Sequence, residues 1–110
     1  MSTKERGSLA EDLAVDFLRK QGQKIVTRNW KLKNFGEIDI IAQKGKVLNF
    51  VEVKALFSSL ENFQPEDHFT KKKFEKLLKL ANFYANKNNF ENWIISLVAI
   101  SLADDVKINY

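Results

Sequence analysis

Between residues 7 and 21 the apolar positions fall at Leu9, Ala10, Leu13, Ala14, Phe17 and Leu18, the three-to-four spacing of a single helical face. Gly22, just beyond the RKQ run, supplies a stop. On that wheel Glu11 and Asp16 fall at opposite margins of the apolar arc and Asp12 projects well away from it, so Glu11 is expected to be half-buried and Asp12 solvated. The period then drops to two. KIVTRNW, residues 24–30, is β-branched and aromatic, and reads as a strand. After the polar turn KLKNFG, residues 37–43 and 46–54 form a hairpin across Lys44-Gly45. Residues 55–68, with Ser58, Ser59, Asn62 and Pro65, read as a long loop. A second helix runs from residue 69 or 70 to 86 with the stripe Phe74, Leu77, Leu78, Ala81 and Tyr84. WIISLVAISL, residues 93–102, is the continuous apolar run of a buried central strand, and the tail DDVKINY offers an edge strand. The order α-β-β-β-α-β(-β) predicts an α/β fold in which helices flank one mixed sheet.

A chain of 110 residues suits one domain, 1–110, large enough to bury a core without staples. It has no cysteine and a single histidine, His68, which excludes disulfides, thiolate metal sites and a histidine-rich zinc site. The first residues carry no signal-peptide core, and no apolar run is long enough for a membrane span, so a cytoplasmic protein without membrane partners is expected. Eighteen Lys and Arg face 14 Asp and Glu, a net charge of +4. That excess is compatible with nucleic acid but does not single it out.

Charge patterning inside the hairpin is more informative. Asp39 sits between isoleucines and Glu52 between valines, where an unpaired buried carboxylate is costly. Strand alternation puts Leu48, Phe50, Glu52 and Lys54 on one face, and Glu37, Asp39 and Ile41 on one face of the preceding strand. A two-residue loop at Lys44-Gly45 sets Asp39 opposite Phe50 and diagonal to Glu52; an odd loop would separate the carboxylates onto opposite faces. Two converging carboxylates repel unless a cation or a proton lies between them. With hard oxygen donors and no His or Cys nearby, that cation would be Mg²⁺ or Mn²⁺, suited to polarising a phosphodiester. Lys54 points the same way and could offset charge in the transition state. A cross-strand surface salt bridge between Glu52 and Lys54 is the plainer alternative. Glu37 reads as an edge residue rather than a helper ligand.

GEIDIIAQKGKVLNFVEVK, together with GSLAEDLAVDFLRKQG, RNW and KKKFEKLLKLANFY, resembles the YraN-like family of small bacterial proteins of uncharacterised role. That family is similar to the PD-(D/E)XK, or restriction-endonuclease-like, nucleases, with Holliday-junction resolvases among the near-looking members. The resemblance implies a restriction-endonuclease-like mixed sheet, metal binding by Asp39 and Glu52, assistance from Lys54, and Glu11 reaching in from the first helix. It implies DNA as partner, in particular ends, junctions and flaps, and a homodimer as one expected assembly. Two departures stand out. No basic residue follows VEVK in ALFSSL, and the late strand carries Ile94 and Ser96 where an Arg-Phe-Asp-like element is usual.

The lysines of TKKKFEK, Lys71, Lys72 and Lys73, either replace that missing charge along a bound strand or form a solvated helix face. His68 reads as a surface loop residue. Trp30, Phe35 and Trp93 could stack on bases, Trp93 being better suited to the core. Three functions therefore stand at the level of sequence: a Mg²⁺-dependent nuclease, a non-catalytic nucleic-acid-binding module that keeps the fold, and a partner-binding adaptor.

Overall fold

The computed structural model describes residues 2–56, 69–102 and 106–109. Its elements are α1 (Thr3–Lys20), β1 (Lys24–Leu32), β2 (Gly36–Lys44), β3 (Val47–Leu56), α2 (Lys71–Lys87), β4 (Asn92–Leu102) and β5 (Val106–Asn109). The strands form one sheet in the order β1-β2-β3-β4-β5. β3 and β4 are parallel, as a helical crossover through α2 requires, and the other neighbours are antiparallel. This is the expected α/β order, with the tail strand present. Of the loop expected at residues 55–68, Ala55 and Leu56 belong to β3 instead, paired with Ile100 and Ser101 of β4, and residues 57–68, His68 included, lie outside the described residues.

α1 begins four residues before the periodicity suggested because Ser2 and Glu5 close a capping box, with the Ser2 hydroxyl accepting from the Glu5 amide at 3.1 Å. The S-T-K-E spacing was the signal for it. α1 covers one face of the sheet, where Ala10, Ala14, Val15 and Leu18 meet Ile40, Ala42, Val51, Val98 and Ile100. α2 covers the other, where Leu77, Leu80, Ala81 and Ala85 meet Ile38, Ile41, Leu48 and Phe50. The α2 stripe is rotated from the expected one. Leu80 and Ala85 are buried while Phe74 is exposed, because the ridge Leu77–Ala81–Ala85, small at two of its three positions, lets the helix seat closely on the sheet.

The hairpin differs in register from the expectation. Lys44 pairs with Val47 and Ile41 with Phe50, so the turn is Gly45-Lys46 rather than Lys44-Gly45. Gly45 takes φ 61° as the first central residue, where a type II′ turn places glycine. The loop remains even, but the two-residue shift brings Asp39 level with Glu52 instead of Phe50.

The β2–β3 ladder runs only from Lys44–Val47 to Ile40–Val51. Beyond it Gly36–Ile38 pairs with β1, and Glu52–Leu56 pairs with β4. The two strands thus part at the first carboxylate. Departures at β4 have simple placements: Ile94 is half exposed near the strand's start, and the Ser96 hydroxyl donates to Asn49 Oδ1 at 2.7 Å while Asn49 donates to Gln23 Oε1 at 3.0 Å.

Candidate active site

Where β2 leaves β3, the Val53 amide loses its place in the ladder, and the Asp39 carboxylate takes over as acceptor: Val53 N donates to Asp39 Oδ2 at 2.8 Å. A buried amide left unpaired would cost about 1–3 kcal/mol, so this bond both closes the gap and fixes the Asp39 side chain. The carboxyls of Asp39 and Glu52 share a hydrogen bond, and burial, that bond and the Asp39 charge push Glu52 up to about 8. At the mouth of the splayed hairpin Glu52 therefore holds its proton at neutral pH, beside Asp39.

Other sequence candidates arrange themselves unequally around this pair. Lys54 follows two residues after Glu52 on β3 and is half-buried, on the α2 side by alternation. Lys73, in the first turn of α2, lies close enough for its charge to favour the ionised form of Glu52, whereas Glu37 acts in the opposite sense. Glu37 is thus more than an edge residue: besides its 4.0 Å approach to Lys31, its charge reaches the pair. Lys71 and Lys72 are exposed, and Lys71 lies 4.0 Å from Glu75. Among the described residues no group of three or more Asp, Glu, His or Cys is gathered for a metal.

Glu11 is half-buried, as its wheel position predicts, with its side chain 14% exposed. Its Oε1 accepts from Arg28 Nε at 2.9 Å and from Asn29 Nδ2 at 3.0 Å, and Arg28 also donates to Asp12 Oδ1 at 2.7 Å. These bonds give the RNW tripeptide a mechanical meaning. Asn29 adopts φ 53°, a left-handed conformation that asparagine tolerates better than most residues. Arg28 consequently faces α1 while Trp30 faces α2, edge-on to Tyr84 at 5.2 Å. On β2 the same break appears at Asp39, since Ile38 packs under α2 and Ile40 under α1. Asn29 lies between the pairs Arg28–Ile40 and Trp30–Ile38, alongside Asp39. Glu11 therefore supports the strand next to Asp39, and its hydrogen bonds go to β1 rather than to the carboxylate pair. Arg28→Ala is expected to lower stability by about 1–2 kcal/mol, chiefly through the loss of a partner for Glu11. Urea melts at low and high salt check this; the deficit persists at high salt because Glu11 is shielded while Asp12 is not.

Sequence reasoning did not find the Val53 amide or the Arg28–Asn29 clamp, since a backbone donor has no residue signature. Of the aromatic candidates, Trp30 and Trp93 pack against the α2-side core, and Phe35 stays 38% exposed.

Fold and site together define a small α/β protein with a carboxyl pair, Asp39 and Glu52, where two strands separate. Residues 10–101 match the model of uncharacterised protein family UPF0102, and the chain belongs to that family. It is 43% identical over 95 residues to a UPF0102 protein of Campylobacter jejuni subsp. doylei, covering 86% of this chain and 81% of that one. It is 38% identical over 104 residues to one from Aliarcobacter butzleri, covering 94% and 90%. A relative in Flavobacterium johnsoniae is 48% identical over 82 residues, covering 74% of this chain and 65% of that one.

Proposed function

We propose that this protein is a metal-dependent phosphodiesterase of the PD-(D/E)XK type that acts on DNA, with branched or recombination intermediates as its substrate class. The observation that carries the reading is the Asp39–Glu52 pair: two carboxyls from adjacent strands, one anchored by the Val53 amide and the other pushed up to about 8, where the strands part. The donor set fits Mg²⁺ or Mn²⁺, which commonly take one or two carboxylates and complete their shell with water and substrate phosphate instead of a full protein cage. Held by Asp39 and Glu52, such an ion supplies Lewis-acid activation of the phosphodiester. Lys54 offsets the negative charge that builds on the phosphoryl oxygens during attack. Lys73 draws the scissile phosphate towards the pair, Lys71 and Lys72 extend positive charge along the strand, and Glu11 holds the strand alongside Asp39 through Arg28 and Asn29.

A second reading, a nucleic-acid-binding module without turnover, draws on the engagement of Glu11 by Arg28 and Asn29 rather than at the pair. Calorimetric titration of Mn²⁺ decides first. Binding by the parent that folded Asp39→Ala and Glu52→Ala variants both lose, by at least about a hundredfold in affinity, is the expected result. Full-strength binding by either variant would place the metal elsewhere and end the proposal in this form.

A further inference from the structure

On α2, Lys72, Lys76, Lys79, Phe83 and Lys87 recur at steps of three and four residues, which places them on one stripe of the helix. Phe83 is 44% exposed. Its ring rests on Trp30, 6.3 Å between centroids, with Lys87 Nζ 5.9 Å above it. Lys79, Asn82, Phe83, Asn86 and Lys87 line an open concavity of about 540 Å³. Beside this stripe, the β1–β2 turn carries Phe35, 38% exposed, in a second concavity of about 440 Å³ that includes Lys31 and Lys33.

Lys76 joins the two. Its ammonium lies 6.0 Å from the Phe35 ring centre, and its stem crosses Gly36 so closely that a Cβ there would sit 2.8 Å from Lys76 Cε. Gly36 is therefore the one residue that admits this crossing. Lys76 and Phe83 are seven residues apart, about 10 Å along the helix, or about three nucleotides of stacked strand. Glu75, the one carboxylate of α2, borders the stripe between Lys72 and Lys79 and lies 4.0 Å from Lys71, and Glu37, at the edge of the turn, already belongs to the electrostatics of Glu52. Lys73, in the first turn of α2, is the lysine whose charge reaches Glu52, so the stripe starts from the end of the helix nearest the pair and leads away from it.

We infer that this surface is a single-stranded DNA track, on which Phe35 and Phe83 stack bases while Lys33, Lys76, Lys79 and Lys87 neutralise the backbone. The choice of DNA rests on the function proposed above; the preference for a single strand does not. Exposed rings present a face to unpaired bases, which a duplex keeps inside its stack, and alternating rings with cations is the physical recipe for such binding. For a junction- or flap-cleaving enzyme the track would hold the unpaired arm while the scissile phosphate meets Asp39 and Glu52.

The test measures anisotropy of labelled oligothymidylate with the full chain, in chelator, against an unlabelled duplex competitor. Phe35→Ala and Phe83→Ala are each expected to weaken binding about tenfold with the salt dependence unchanged. Lys76→Gln is expected to reduce the salt slope by about 0.7. Gly36→Ala, which displaces Lys76 from Phe35 but leaves its charge, should keep the parent's salt slope. Phe74→Ala, an exposed phenylalanine outside the stripe, should bind as the parent does. Parent-like binding by both ring variants would overturn the track and leave the metal site untouched. So would a preference for duplex, or a dimer that Phe83→Ala dissolves without changing oligothymidylate binding. Failure of the nuclease reading shows separately, as loss of Mn²⁺ binding in the parent.

Discussion

The apparent affinity for Mn²⁺ is expected to fall about tenfold for each pH unit below about 8, so that roughly a hundredfold separates pH 8 from pH 6. The reason is competition for one position. Without an ion, Asp39 and Glu52 lower their repulsion by holding a proton, and Glu52 gives it up only at about 8. An ion that needs both carboxylates must expel that proton first. Below about 8 each further unit of acidity therefore makes expulsion tenfold harder, whereas above it the affinity levels off. Calorimetry near neutral pH in two buffers of different ionisation heat should detect close to one proton released per ion bound. Affinity that stays flat from pH 6 to pH 8, with no proton released, would mean that the pair does not bind the ion or is already fully ionised. Because the Asp39 bond and charge help hold that proton on Glu52, Asp39→Asn should remove part of this pH dependence together with most of the affinity.

Much of this site was legible in the chain, for a reason particular to strands. Alternation holds well enough from Asp39 onward that GEIDII and FVEVK could place Asp39 and Glu52 on converging faces once the loop was even, although it breaks between Ile38 and Ile40. What could not be read was which two residues formed the turn, because K-G-K offers glycine to either the first or the second central position. The structure's choice moved Asp39 two places along the partner strand, from diagonal to Glu52 to level with it. Helical margins were equally legible for Glu11, whose partial burial follows from its angle alone. Its partners were not, since Arg28 and Asn29 reach it only because Asn29 leaves the β region, and a left-handed asparagine is seldom announced by its neighbours. The rotated stripe of α2 has a similar origin. Phe74 is more hydrophobic than Ala85, yet the helix seats on its alanines because small side chains allow closer approach to the sheet.

Replacing Glu52 should make the metal-free protein more stable, and increasingly so as pH rises. Glu52→Gln is expected to raise the melting temperature by about 20 °C at pH 9 in chelator, on the order of 5 kcal/mol, and by almost nothing near pH 4.5. The sign follows from proton counting. The folded-state value of about 8 lies above the ordinary value of 4.5, so between those limits the native protein holds a proton that the unfolded chain has released. Stability is then lost as pH rises through that window, at up to about 1.4 kcal/mol per unit. Glutamine has no proton to lose and still donates to Asp39, which itself keeps the Val53 amide. The gap between variant and parent should open from about pH 4.5 to about 8 and stay constant beyond. Parallel curves for the two proteins would show that Glu52 ionises without strain, removing the electrostatic basis of the site. Saturating Mn²⁺ should then reverse the order, because binding stabilises only the protein that retains both carboxylates. A residue whose removal strengthens the empty fold but forfeits that gain is present for a ligand rather than for packing.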